Sequence, residues 1–128
     1  MKNICKAFLI SSISAFLTTL APNALAGDAA KGKEIYDGKG GCATCHGATG
    51  KGDGAAAAAL NPKPRSFAGG EFVYDTDGDG KTGTDTDLLN ILKNGSAQYG
   101  GSPTMPGRAD ITDAELTDVV VYIRTLKN

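Results

Sequence analysis

The sequence predicts one small domain built mainly of short helices. Three segments of the chain combine a capping residue with apolar residues at helical spacing. Glycine accounts for 18 of the 128 residues, and most glycines lie between those segments, as expected of loops that join short elements. The 102 residues that remain after a 26-residue N-terminal segment are enough for one ordinary domain.

The first half of the domain contains one clear helix. Residues 28–39 predict a helix that Asp28 caps, and residues 55–60 predict a single helical turn. The prolines of residues 61–64 then force an extended path. The apolar residues Phe72-Val73-Tyr74 favour a short strand, and the Asp/Gly-rich residues after them favour a turn. A small β-hairpin insertion is therefore predicted near residues 72–84.

The second half of the domain contains two helices. Asp85 or Thr86 can cap a helix that continues through Asn94. Thr112 and Glu115 form a capping-box pattern at the start of the last helix. The apolar face of that helix consists of Leu116, Val119, Val120, Ile123 and Leu126. Both helices should pack into the core through their apolar residues.

Residues 1–26 have the three parts of a secretory signal peptide. Lys2 and Lys6 form a basic start, residues 7–20 are apolar, and residues 24–26 form an A-x-A cleavage site. A membrane anchor is the alternative, but a span needs about 20 apolar residues. We expect cleavage after Ala26, a domain over residues 27–128, and a periplasmic location.

The segment Cys42-Ala43-Thr44-Cys45-His46 matches the attachment motif of a c-type haem. The two thiols would form thioethers with haem, and the adjacent imidazole would bind the iron. A redox dithiol would favour a βαβ setting, which the sequence does not predict. A structural zinc site normally needs four protein ligands. The motif therefore predicts one covalently bound haem c per chain.

Met105 is the candidate for the second axial ligand of the iron. After removal of residues 1–26, His46 and Met105 are the only histidine and methionine. Thioether sulfur binds haem iron and raises its reduction potential, and the prolines that flank the Thr104-Met105 pair would stiffen the loop. The alternative is a methionine that fills a gap in the core.

These features together resemble the class I cytochromes c, which are small exported mono-haem proteins. The similar segments are GKEIY at 32–36, CATCHG at 42–47, PKPRSF at 62–67, LKNG at 92–95, TMPG at 104–107 and YIRTL at 122–126. The resemblance implies an all-α fold with three to five short helices around the haem. It also implies that the first and last helices cross closely at Gly32, with Tyr36 and Tyr122 nearby.

The resemblance also implies roles around the haem. His46 would be the proximal ligand and Met105 the distal one. The carbonyl of Pro62 or Pro64 would accept a hydrogen bond from the His46 ring. Three further side chains are candidates for contact with the haem propionates, with ordinary surface exposure as the alternative. They are Arg65, Tyr99 and Arg108.

One segment departs from the family pattern. Asp75, Asp77 and Asp79 have the spacing of the opening of an EF-hand calcium loop. The position of the bidentate glutamate holds a threonine, so Asp85 or Asp87 would have to complete a non-standard calcium site. A solvated acidic turn without calcium is the alternative, and the sequence favours it.

Charge and ligation lead to a prediction of function. Without Lys2 and Lys6, 11 basic residues face 14 acidic ones, so the net charge is −3, which disfavours nucleic-acid binding. We expect a monomeric periplasmic one-electron carrier that is not an enzyme and has no stable membrane anchor. Its redox partners would dock weakly, through interfaces below roughly 1,200 Å². The alternatives are a haem relay subunit of a larger periplasmic redox enzyme and a haem gas-binding or sensor protein.

Overall fold

The computed structural model of the protein describes residues 26–127. The predicted signal peptide lies outside these residues, apart from Ala26. Four α-helices follow one another along the described chain: α1 (Ala29–Asp37), α2 (Cys42–His46), α3 (Asp85–Asn94) and α4 (Asp113–Thr125). Two 3₁₀ turns, Ala57–Ala59 and Ala97–Tyr99, lie in the connections. The all-α prediction is confirmed, since residues 26–127 contain helices and no β-strand.

Helices α1 and α4 cross closely, as predicted. Asp28 caps α1 by accepting a hydrogen bond from the backbone N–H of Ala30 at 2.9 Å. The N–H of Asp28 itself donates to the carboxylate of Asp118 in α4, at 2.7 Å. A methyl group added at Gly32 would overlap the backbone oxygen of Asp118. Glycine at this position therefore allows the backbones of α1 and α4 to approach more closely than a side chain at residue 32 would permit.

The crossing continues into the hydrophobic core. The Tyr36 and Tyr122 rings meet edge to face, with their centroids 5.2 Å apart, an arrangement that suits the charge distribution of aromatic rings. The fully buried Tyr36 donates a 2.8 Å hydrogen bond to the carbonyl of Gly47. The remaining core residues are Ile35, Phe67, Leu88, Leu92, Ile111, Leu116, Val119, Val120 and Ile123. Four of the five predicted apolar residues of α4 are buried, and Leu126 is half-buried against them.

Helix α3 begins one residue earlier than expected. Thr84, and neither Asp85 nor Thr86, is the N-cap, and its hydroxyl accepts from the N–H of Asp87. The Asp87 carboxylate returns the interaction by accepting from the N–H of Thr84, which completes a capping box. The sequence offers several adjacent capping residues, and the burial of Asp87 selects among them.

The last helix begins as predicted. Thr112 is the N-cap of α4, and Glu115 accepts hydrogen bonds from its N–H at 3.1 Å and its hydroxyl at 2.9 Å. Lys39, in the loop after α1, also donates to Glu115, at 2.5 Å. The start of α4 is therefore fixed to the loop that leads into α2.

The predicted β-hairpin near residues 72–84 is wrong. Tyr74 and Gly83 share one backbone hydrogen bond of 3.0 Å, but no ladder extends from it. The carboxylate of Asp75 instead accepts from the N–H groups of Gly78 and Gly80, at 2.7 and 2.9 Å. Aspartate side chains compete with strand partners for backbone N–H groups, and here they close a compact turn instead.

Among the helices of residues 26–127, none is both long enough and apolar enough to cross a bilayer.

Candidate functional site

A cavity of about 960 Å³ lies between α2 and the C-terminal half of the domain. Its wall consists of α2, the extended segment after residue 60, the loop before α3, one face of α3 and the loop that carries Met105. Cofactor sites typically have volumes of about 300–1,000 Å³ and apolar walls with a few polar groups. Leu88, Ile91 and Leu92 supply such an apolar wall from α3.

Helix α2 presents both thiols and the imidazole to this cavity. It is bounded by Gly41 and Gly47, whose φ angles of 63° and 80° lie in the region that favours glycine. Cys42 and Cys45 are half-buried, line the cavity, and are not joined in a disulfide. Burial raises the pKa of the Cys42 thiol, and the positive charge of Arg108 offsets part of that effect. Both sulfurs are thus available for covalent bonds to a group in the cavity.

The acceptor for the His46 ring differs from both predicted residues. His46 Nδ1 lies 2.9 Å from the carbonyl oxygen of Arg65, and not from that of Pro62 or Pro64. Phe67 N–H donates to the carbonyl of Gly50 at 2.6 Å, which holds this segment against the loop after His46. This contact places the Arg65 carbonyl at the ring, while both prolines form part of the cavity wall nearby.

This hydrogen bond determines the tautomer of the imidazole. A carbonyl oxygen only accepts, so Nδ1 carries the proton and Nε2 keeps its lone pair for a metal. Burial lowers the pKa of His46, and the hydrogen bond to Arg65 partly opposes that shift. The neutral form, which is the form that ligates a metal, is therefore favoured at pH 7.

Phe67 also orients the imidazole, and the sequence did not identify this role. Its ring stacks on that of His46, with centroids 4.5 Å apart and planes 22° apart. Phe67 is itself buried and stacks on Phe72 at 6.0 Å. The position of Phe67 in the PKPRSF segment was the available indication, but nothing in the residue type specified its partner.

Met105 lies on a loop that is fixed to the end of α3. It is half-buried and forms part of the same cavity wall as His46. Its carbonyl accepts from the N–H of Ser96 at 3.2 Å, and the N–H of Arg108 donates to Leu92 at 2.8 Å. Met105 itself and Arg108, three residues later, are thus held by backbone hydrogen bonds, which limits the positions that the Met105 side chain reaches.

The three candidate propionate contacts have different surroundings. Arg65 is exposed, lines the cavity, and lies over the Tyr74 ring at 5.8 Å. Arg108 lines the cavity, but its guanidinium donates to the backbone carbonyls of Lys39 and Gly40 and to Asp110. Tyr99 is not among the residues that line the cavity, and its hydroxyl accepts a 3.1 Å hydrogen bond from Asn94. The structure therefore does not bring Tyr99 into the site.

The acidic loop, residues 75–84, brings together only part of the predicted calcium set. Carboxylate oxygens of Asp75, Asp77 and Asp87 lie within 4.8 Å of one another, whereas Asp79 is outside this group. The oxygens of Asp75 and Asp87 already accept hydrogen bonds from N–H and O–H groups. This bonding pattern is also that of the acidic turn that the sequence favours, and calcium binding stays the alternative to it.

The residues that line the cavity fit a covalently attached haem c. Two thiols without a disulfide, an imidazole with Nε2 available and a thioether line one largely apolar cavity. A soft sulfur and an imidazole are an axial pair that haem iron accepts. The buried side-chain polar atoms of residues 26–127 all have hydrogen-bond partners, so the fit depends on the donors around the cavity rather than on an unpaired group.

The present chain is similar in structure to part of a longer chain of known structure. A solved structure titled "Kuenenia stuttgartiensis reducing HAO-like protein complex Kustc0457/Kustc0458" contains a similar chain, with 26% identity and a TM-score of 0.62. The similarity covers 92% of this chain and 50% of that one, so the present chain spans about half the length of its structural neighbour. A comparison with curated protein sequences finds no significant match.

The family comparison covers almost all of the described residues. The model of the family described as "Cytochrome c" matches residues 29–127, from the start of α1 to the end of the described chain. This range includes the thiols, the imidazole and the thioether that line the cavity. The protein therefore belongs to the cytochrome c family, which implies a covalently bound haem c and a role in electron transfer.

Proposed function

We propose that the protein is a periplasmic one-electron carrier with one haem c, attached through Cys42 and Cys45 and ligated by His46 and Met105. The observation that carries this proposal is the single cavity that these four side chains line. When bound, haem supplies a ferric–ferrous couple suited to one-electron transfer. The protein supplies attachment, axial ligation and a largely apolar environment.

The surrounding residues support a rigid iron site. The Arg65 carbonyl and the Phe67 ring fix the orientation of His46, and such outer contacts typically maintain ligand geometry. Backbone hydrogen bonds hold the Met105 loop at Ser96 and Leu92. With two protein ligands filling both axial positions, the site would change little between oxidation states. This arrangement favours electron transfer over substrate chemistry, and we propose no enzymatic activity.

Location and partners belong to the same proposal. Residues 1–26 have the pattern of a cleaved signal peptide, which supports export to the periplasm. The net charge of −3 after cleavage favours partners with basic docking surfaces and disfavours nucleic acid. We propose a monomer that docks transiently with redox proteins, through the small interfaces typical of electron-transfer pairs.

Visible absorption spectra test the ligation directly. The protein is matured with haem in a periplasm, and spectra of wild type, Met105→Leu and Lys63→Gln are recorded in both oxidation states. Met105→Leu keeps the side-chain volume but removes the sulfur. Lys63→Gln also changes a residue of the cavity wall, but Lys63 is not one of the four side chains proposed to bind haem. We expect low-spin spectra and a sulfur-to-iron band in wild type and Lys63→Gln, and loss of that band in Met105→Leu.

The contrary results are equally defined. A high-spin wild-type spectrum without the band would refute His/Met ligation and favour an open iron site. Ready binding of carbon monoxide to the wild type would support the gas-binding or sensor alternative. Attachment of haem after Cys42→Ala and Cys45→Ala together would refute the thioether assignment.

A relay subunit is the second candidate function. The structural neighbour belongs to a protein complex, and this chain corresponds to about half of one of its chains. A haem domain of this kind would pass electrons inside an assembly instead of diffusing between partners. Size-exclusion chromatography of the native periplasmic protein separates the two. A single small species supports the carrier, whereas recovery only in a stable complex supports the relay.

A further inference from the structure

Asp87 is a buried acid in the cavity wall to which the proposed function assigns no role. Only 1% of its surface is exposed, and it lines the cavity beside Leu88 and Ile91 of α3. None of the ion pairs found among residues 26–127 includes it. Aspartate is rarely buried without a charged partner, so other polar groups must offset the cost of burying the Asp87 carboxylate.

Neutral donors provide that compensation. Oδ1 of Asp87 accepts from the N–H and hydroxyl of Thr76, at 2.5 and 2.9 Å. Oδ2 accepts from the N–H and hydroxyl of Thr84, at 2.7 and 2.8 Å. Burial by itself would raise the pKa of Asp87, but these four hydrogen bonds outweigh it and lower the pKa. The carboxylate is thus ionised at neutral pH and keeps its full negative charge.

The same four hydrogen bonds close the acidic loop against the cavity. Thr76 lies near its beginning and Thr84 at its end, so one side chain holds both ends together. Tyr74, just before the loop, and Gly83, within it, line the cavity. Asn90 of α3 adds a further hydrogen bond to the hydroxyl of Thr76, at 3.0 Å. Asp87 therefore holds one wall of the cavity in place and also gives that wall a negative charge.

We propose that Asp87 is a positioning residue whose fixed negative charge lowers the reduction potential of the haem and whose hydrogen bonds keep the acidic loop closed over it. This inference rests on the proposed function, because it requires haem in the cavity. A negative charge in a poorly screened wall stabilises the more positive oxidation state, which is the ferric one. Nearby Asp75 and Asp77 are exposed, so water screens their charges more effectively.

The two roles of Asp87 predict opposite shifts, which makes them separable. Removing the charge favours the ferrous state and raises the reduction potential. Opening the loop admits water, which stabilises the ferric charge and lowers the reduction potential. A rise after loss of the carboxylate therefore cannot come from a loosened loop alone.

The experiment is a spectroelectrochemical titration of the haem-loaded protein at pH 7, with a calcium chelator present. Asp87→Asn removes the charge at nearly constant volume, and Asp87→Ser is a second neutral variant with a smaller side chain. At a fixed ambient potential, we expect the ratio of ferrous to ferric protein to rise by about threefold or more in both variants. No change, or a fall, in both would overturn the inference.

Two controls complete the design. Thr76→Ala keeps the carboxylate but removes one hydroxyl donor, so amide exchange in the acidic loop should accelerate without a rise in the ferrous fraction. Asp113→Asn makes the same chemical change at an exposed first-turn position of α4, where the ratio should stay within about 1.5-fold because solvent screens the charge. A rise in Thr76→Ala, or an equal rise in Asp113→Asn, would also overturn the inference.

Different results would refute the proposed function and the role of Asp87. A wild type without a reversible one-electron couple or without a His/Met spectrum would refute the function. Equal ratios in wild type and both Asp87 variants, with unaltered His/Met spectra, would refute only the role of Asp87.

Discussion

The close crossing of α1 and α4 predicts that Gly32→Ala destabilises the protein. Alanine favours a helix over glycine by about 1 kcal/mol, so helix propensity alone would stabilise the variant. The added methyl group, however, meets the backbone oxygen and carbon of Asp118 and lies 2.9 Å from Cβ of Tyr122. Backbone atoms cannot rotate away as a flexible side chain can, so the helices would have to separate.

The magnitude follows from the balance of these two effects. Overpacking typically costs about 1–3 kcal/mol, and the upper end applies because the obstacle is mainly backbone. After the gain in helix propensity, the net loss is about 2 kcal/mol. For a domain of about 100 residues, each 1 kcal/mol lowers Tm by about 4–8 °C, so Tm should fall by about 10 °C.

Thermal unfolding of the haem-loaded protein, followed by circular dichroism, measures this change. Gly69→Ala is the control, because an added methyl group there meets no atom of the described chain within 4 Å. Its Tm should stay the same or rise slightly, as reduced entropy of the unfolded chain favours folding. A Gly32→Ala variant with a Tm equal to or above that of wild type would refute the close crossing.

Three further predictions concern polar contacts. Tyr36→Phe should lower the free energy of unfolding, measured by chemical denaturation, by about 1–2 kcal/mol, because the Gly47 carbonyl loses its buried partner. Tyr122→Phe should lower it less, since the hydrogen bond of Tyr122 is 3.4 Å long. A larger loss in Tyr122→Phe than in Tyr36→Phe would contradict this. Hydrogen bonds from Lys39 and the capping residue hold the pKa of Glu115 at about 2. The contribution of the ionised Glu115 to the free energy of unfolding should be complete above about pH 4.5 and disappear as the pH falls towards 2. Glu115→Gln should therefore make the free energy of unfolding depend less on pH in that window. An unchanged dependence would refute the effect. Arg108→Lys should accelerate amide exchange in the Met105 loop, because lysine cannot form the same fork of hydrogen bonds; unchanged exchange would show that the loop does not depend on it.

Helix boundaries were predictable where local chemistry decided them. Asp28 and the Thr112–Glu115 pair are caps that operate within a few residues, and the structure confirms both. The cap of α3 was not predictable in this way, since the TDTD run contains several suitable residues. Thr84 is selected because its box partner, Asp87, is buried and also accepts hydrogen bonds from Thr76, which lies 11 residues earlier.

Non-local contacts account for the other differences. Phe72-Val73-Tyr74 has the composition of a strand, but no second strand within residues 26–127 pairs with it. Its aromatic rings pack against Phe67 and Arg65 instead. The partner of the His46 ring is a backbone carbonyl, which every residue possesses, so residue type could not distinguish Arg65 from the prolines. The four side chains expected to bind haem were identifiable because each is chemically distinctive.

The pairing of α1 with α4 has a consequence for the order of folding. Asp28 and Asp118 are 90 positions apart in the chain, yet they are joined by a hydrogen bond. Because the entropic cost of closing a loop grows only slowly with its length, a contact of such long sequence separation affects the folding rate more than the stability. Until α4 has docked, the wall that Ile123 contributes to the cavity is missing, and the two thiols of α2 are more accessible than in the finished fold. The cavity wall around these thiols is therefore complete only when the last helix has docked.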